Sequence, residues 1–189
     1  MARREVSPYQ MPLLFRPEEW PEPAVAQPTI DYQIDANPFG DGEHTAQTIR
    51  FLKEVSEPVQ VRMAADAAHF LMTHIYQPWA AFTQEELVGL ALNNQNVITH
   101  TYMVYRGTID SVHVRVAEVF RPAIHVNASA LILSHNHPSG VNAKPSPEDV
   151  RVTNNLVDAG NLLEIPVLDH VVVSGDTYVS MKEAGLGFE

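Results

Sequence analysis

Leu131-Ile132-Leu133-Ser134-His135-Asn136-His137-Pro138-Ser139-Gly140 reads as a buried strand that runs out into two histidines and a turn. Strand residues at i and i+2 point to the same side, so His135 and His137 can converge on one ion. Pro138 has no amide hydrogen to continue the pairing, and Gly140 lets the chain turn. Further on stands Ser146-Pro147-Glu148-Asp149. Ser146 suits a helix N-cap and Pro147 the first helical position, while Glu148 and Asp149 suit the positive end of the helix dipole. The helix is expected from Ser146 to Glu164, with Val152, Leu156, Ala159 and Leu163 as its apolar face. Strand, loop and helix in this order make the fold class α/β and bring a carboxylate beside two imidazoles.

Two histidines and one carboxylate would give a zinc ion three protein ligands. The fourth position stays open for water, as in a catalytic site. There are no cysteines, so any metal must be held by His, Asp or Glu. The same residues would also make an ordinary polar strand end and an ordinary helix start. Spacing alone leaves both readings open.

Outward from this segment the elements alternate. Downstream, Val167–Val173 and Thr177–Val179 read as a strand pair around Ser174-Gly175-Asp176. Upstream, Glu118–Asn127 reads as a short helix, in which Pro122 is tolerable only in the first turn. Ser111–Ala117 alternates, with Val112, Val114 and Val116 on one face and His113 and Arg115 on the other, and reads as a strand. Leu87–Leu92 and Val97–Tyr105 flank Asn93–Asn96 as a hairpin. Val61–Tyr76 carries Met63, Ala67, Phe70, Leu71 and Ile75 at helical spacing, with His69 and His74 as surface residues. Thr45–Val55 is expected to form a short helix that ends before Pro58. The order β-β-β-α-β-α-β-β predicts an α/β sandwich around a mixed sheet.

The bulk numbers limit what this domain does. The chain has 189 residues, 45% of them hydrophobic, enough for one domain with a proper core. The formal net charge of −11 repels phosphate backbones, so no strong direct nucleic-acid binding is expected. No apolar run is long enough to span a membrane, and the N-terminus does not read as a signal peptide. A soluble, cytoplasmic protein is expected. Residues 1–43 hold six of the fourteen prolines between Pro8 and Pro28, and read as an extended arm. Leu13, Leu14, Phe15, Trp20, Ile30 and Tyr32 give that arm apolar side chains. It is expected to pack on its own domain or on a partner subunit, the latter giving a homo-oligomer, with a disordered tail as the alternative. Residues 44–60 read as a linker with the short helix, and 61–189 as the domain.

His135-Asn136-His137-Pro138-Ser139-Gly140 with Pro145-Ser146-Pro147-Glu148-Asp149 resembles the JAMM (MPN-plus) metallohydrolase motif in the form carried by the RadC family. Gly107-Thr108, Glu118–Arg121, Asn127-Ala128, Ile132-Leu133, Thr153, Ile165–His170 and Tyr178–Ser180 extend the likeness over Val61 to Leu186. The resemblance implies an MPN (JAB) domain, a cytidine-deaminase-like α/β sandwich around a mixed β-sheet. It implies Zn2+ held by His135, His137 and Asp149, and a serine, here Ser146, that stabilises an oxyanion. It also implies a glutamate general acid/base at the start of an upstream strand. Counting back from Asn93 selects Glu85, whereas the spacing to a small residue, Gly89, selects Glu86. Adjacent strand residues face opposite ways, so only one can serve, and Glu85 is favoured.

The chain departs from the family pattern in three places. The loop between His137 and Ser146 is one residue longer than usual, which puts Glu148 at the usual count, although the Pro-Ser-x-x-Asp context selects Asp149. Arg115–Glu118 replaces the family's His-Pro-Arg-Glu segment. The Pro-rich arm stands where the family has a helical region. Asp169-His170 reads as a buried hydrogen-bonded pair that organises the sheet, with a second metal site or the orientation of a ligand as the alternatives. The function implied is a zinc-dependent hydrolase acting on an unknown peptide or isopeptide. The alternative is a DNA-repair or mobile-element accessory protein acting through partners.

Overall fold

A computed structural model describes residues 50–107 and 114–188. The Pro-rich arm and His113 lie outside the described residues. The elements are β1 (Arg50–Gln60), α1 (Ala64–Phe70), β2 (Glu86–Leu92), β3 (Val97–Arg106), α2 (Val116–His125), β4 (Ala130–Asn136), α3 (Pro147–Leu162), β5 (Val167–Ser174) and β6 (Thr177–Ser180). They build one six-stranded sheet in the order β1-β3-β2-β4-β5-β6. Every neighbouring pair is antiparallel except β4 and β5, so the sheet is mixed, as the sequence predicts. A parallel pair needs a crossover, and α3 supplies it.

Strand alternation sorts the core into two faces. Leu87, Leu131 and Leu133 point to one side and pack on Phe120 of α2 and Leu156 of α3. Val88, Leu90, Ile132 and Val171 point to the other and pack on Ala67, Phe70 and Leu71. The sheet is therefore covered on both sides in the α/β manner.

Four expectations need correction. Residues 50–55, expected in a helix, belong to β1, which pairs with β3 at the sheet edge. Val55 and Val59 pack against the α1-side core, and Pro58 is tolerated because an edge strand leaves amides unpaired and the register is irregular between Glu54 and Val59. The helix after β1 ends its regular α course at Phe70 and widens into a π-helical turn over Leu71–Ile75. Val116 and Ala117 open α2 instead of closing a strand, while Ser111–His113 lie outside the described residues. Because α2 starts earlier than expected, Pro122 stands inside it and not in its first turn. A proline there costs about 3 kcal/mol. Burial of Val119, Phe120, Pro122 and Ala123 against the sheet offsets that loss.

Gly89 has a packing reason. It pairs with Tyr102 across β2 and β3, and a Cβ there would lie 2.3 Å from the ring carbon Cζ. Tyr102 cannot swing away cheaply, because its hydroxyl donates to the Val119 carbonyl at 2.9 Å. Gly89→Ala is expected to lower stability by about 1–3 kcal/mol in urea unfolding. An unchanged midpoint would show that the ring moves freely.

Candidate metal centre

β4 lies in the middle of the sheet and is buried along its whole length, including His135 and Asn136. The sequence suggests a strand over Ala128–Ser134, and β4 runs two residues past that end. The His137 amide still donates to the Val173 carbonyl at 2.8 Å before Pro138 ends the pairing. Gly140 then takes a positive φ of 67°, open to glycine without strain. The chain leaves β4 at its carboxyl end, so the crossover delivers the N-terminus of α3 to the same end of the sheet.

There Ser146 and Asp149 close a reciprocal cap. The Asp149 amide donates to Ser146 Oγ at 3.1 Å, while the Ser146 amide and hydroxyl both donate to Asp149 Oδ2 at 2.7 Å. This fixes Oδ2 and leaves Oδ1 facing His135 Nε2 at 3.4 Å. Burial opposes the charged form of Asp149. His135 and the two Ser146 bonds outweigh it and hold the carboxyl well below the usual carboxylate range.

His135 Nε2 and His137 Nε2 are 3.2 Å apart. His137 Nδ1 lies 3.2 Å from the Asn142 carbonyl, which can only accept, so Nδ1 carries a proton and Nε2 is the nitrogen turned inward. One ligand atom from each of His135, His137 and Asp149 lies within 4.8 Å of the others. Zn–N bonds of about 2.0–2.1 Å in a tetrahedron set neighbouring ligand atoms about 3.3 Å apart. The His135–His137 and His135–Asp149 separations, 3.2 and 3.4 Å, fit that edge. His135 is fully buried and His137 partly exposed, so the cluster is firmly seated yet reachable from solvent.

The model of the RadC-like JAB domain matches residues 61–186. The chain belongs to this family. It is 38% identical over 168 residues to a UPF0758 protein of Chloroflexus aggregans, an alignment covering 84% of this chain and 71% of that one. A UPF0758 protein of Chloroflexus aurantiacus is 41% identical over 169 residues, covering 85% and 72%. One from Roseiflexus castenholzii is 41% identical over 135 residues, covering 70% and 54%.

Within this JAB domain the two candidate glutamates part company. Glu86 is buried and pairs with Arg106, whose Nε and Nη2 both lie 2.7 Å from Glu86 Oε1. Both line a 570 Å3 cavity that Phe70 and Val88 place on the α1 side of the sheet. Glu85 is the last residue before β2 and half-buried. Leu87 pairs with His135, so continuing the alternation by one step puts Glu85 on the face of His135 and His137. Its backbone is held from both sides by Asn136. Asn136 Oδ1 accepts from the Glu86 amide at 2.7 Å, and Asn136 Nδ2 donates to the Gln84 carbonyl at 3.2 Å. Sequence reasoning passed over Asn136, although a buried amide between two histidines was the available signal.

Asp169 and His170 do not act as a pair of side chains. They face opposite sides of β5. Asp169 accepts from the His170 and Lys182 amides and from the Ser180 hydroxyl, which ties β5 to the chain after β6. His170 instead turns toward the cluster, with Nε2 at 2.8 Å from His135 Nδ1 and Nδ1 at 2.6 Å from Thr153 Oγ1. Burial, with His135 beside it, pushes the His170 pKa well below the usual histidine value, although Asp149 pulls the other way. No helix among the described residues is long and apolar enough to cross a membrane.

Proposed function

We propose that the protein is a zinc-dependent hydrolase that cleaves an amide or isopeptide bond. The observation that carries this reading is the convergence of two imidazole nitrogens and one carboxylate oxygen within 4.8 Å of one another, with His135 at tetrahedral spacing from both His137 and Asp149. Zinc bound by His135, His137 and Asp149 would polarise a substrate carbonyl and draw the pKa of a water down to about 7.

The remaining steps fall to the chain. Glu85 takes a proton from the attacking water and returns it to the departing amine nitrogen as the C–N bond breaks. Asn136 holds the backbone that carries Glu85. Ser146 holds Asp149 Oδ2 so that Oδ1 faces His135. For Ser146 to stabilise an oxyanion as well, its hydroxyl proton must turn from Asp149 toward the substrate oxygen.

The reading is tested by offering zinc-loaded protein a library of peptides and isopeptide-linked conjugates. Cleavage is expected, abolished by a chelator and restored by zinc. A loaded protein that cleaves no member would be a metal-binding domain without turnover, and the hydrolase reading would fall.

A further inference from the structure

The buried chain from the Asp149 carbonyl through Thr153 and His170 to His135 admits one consistent set of protons. Thr153 Oγ1 lies 2.6 Å from the Asp149 carbonyl oxygen and 2.6 Å from His170 Nδ1. A carbonyl only accepts, so the single hydroxyl proton points at Asp149. Thr153 must then accept from His170, which places a proton on His170 Nδ1. Met181 Sδ, at 3.5 Å, is a much weaker competitor for the hydroxyl.

His170 is 1% exposed, and its ring meets the Thr153 hydroxyl at Nδ1 and the His135 imidazole at Nε2. With the Nδ1 proton given to Thr153, Nε2 is the ring nitrogen of His170 left to accept. At 2.8 Å, His135 Nδ1 donates to it. A proton is thereby held on His135 Nδ1, and Nε2, which faces His137 and Asp149, is the nitrogen left for a metal.

We propose that Thr153 and His170 are positioning residues that hold His135 in the tautomer that ligates metal through Nε2. The inference rests on the metal-site reading above and deepens it. Thr153 stands one turn after Asp149 on α3. The helix that delivers the carboxylate ligand therefore also sets the proton of the histidine ligand. Hydrogen bonds from outside the ligand set orient metal-bound imidazoles in just this way.

The test compares Thr153→Val, which keeps the shape and removes the acceptor, with Thr153→Ser, which keeps the hydroxyl. Zinc dissociation constants are measured by competition with a chromogenic chelator, alongside the urea stability of the metal-free forms. Thr153→Val is expected to bind zinc about 10–100-fold more weakly, with Thr153→Ser close to wild type. Long-range 1H–15N NMR of the zinc-loaded wild type is expected to show His170 protonated at Nδ1.

A structural role alone would lower stability and leave zinc affinity unchanged, and that result overturns the proposal. So does a His170 proton found on Nε2. Should Thr153→Val not fold, His170→Gln, which keeps an acceptor, is expected to hold zinc more tightly than His170→Leu. Equal binding by those two overturns the proposal equally. A wild type that takes up no zinc fails differently: it removes the metal site itself, and the relay with it.

Discussion

His137→Ala abolishes zinc uptake and removes the stabilisation that zinc confers. Wild-type protein purified without added metal is expected to carry about one zinc per chain. At a free zinc concentration about 1,000-fold above the dissociation constant, binding to the folded state alone contributes about 4 kcal/mol. For a chain of this size that raises the melting temperature by about 10 °C. His137 is the better position to probe because it is partly exposed at the strand end, whereas His135 is fully buried. Truncating His135 would open a cavity and break the bond to His170, mixing packing with metal binding. The measurement is elemental analysis with thermal melts in chelator and in excess zinc. A wild type with no bound metal and no zinc-dependent shift would sink the site.

Glu85→Gln is expected to lower kcat by about 10²–10⁴-fold on any substrate that the library yields, with zinc retained. Glutamine keeps the shape and much of the hydrogen bonding but cannot take up the proton. Glu86→Gln is the informative partner. It disturbs a carboxylate already bound to Arg106 on the other face of the sheet, so it is expected to cost some stability and leave kcat within a few-fold. The reverse ranking would transfer the role to Glu86 and contradict the alternation argued from the pairing of Leu87 with His135.

These experiments address features that differ in how far the sequence exposed them. The gathering of His135, His137 and Asp149 was legible because it needs only strand alternation, a proline stop and a helix cap, all local signals. β1 was not, since Arg50–Gln60 shows no clean alternation and gains its conformation from pairing with β3 at the sheet edge. Pro122 misled for a related reason: its cost is local, but the burial that offsets it comes from the sheet. The contact of His170 with His135 depends on the parallel register of β4 and β5, in which Leu133 faces His170 and His135 faces Val172. No short-range signal encodes that register. The sequence therefore presented Asp169 and His170 as a pair, where the pleat sends them apart.

The cap formed by Ser146 and Asp149 also bears on how a metal would come and go. Two of the three ligand residues sit on or beside a central strand, among the last parts of a sheet to open, while the third belongs to the first turn of a helix, where fraying is easiest. A cycle of uncapping, in which Ser146 lets go of Oδ2, would release one ligand and leave the other two in place. Exchange of an ion bound there would then be timed by a helix end and not by the core, and would need no unfolding of the sheet.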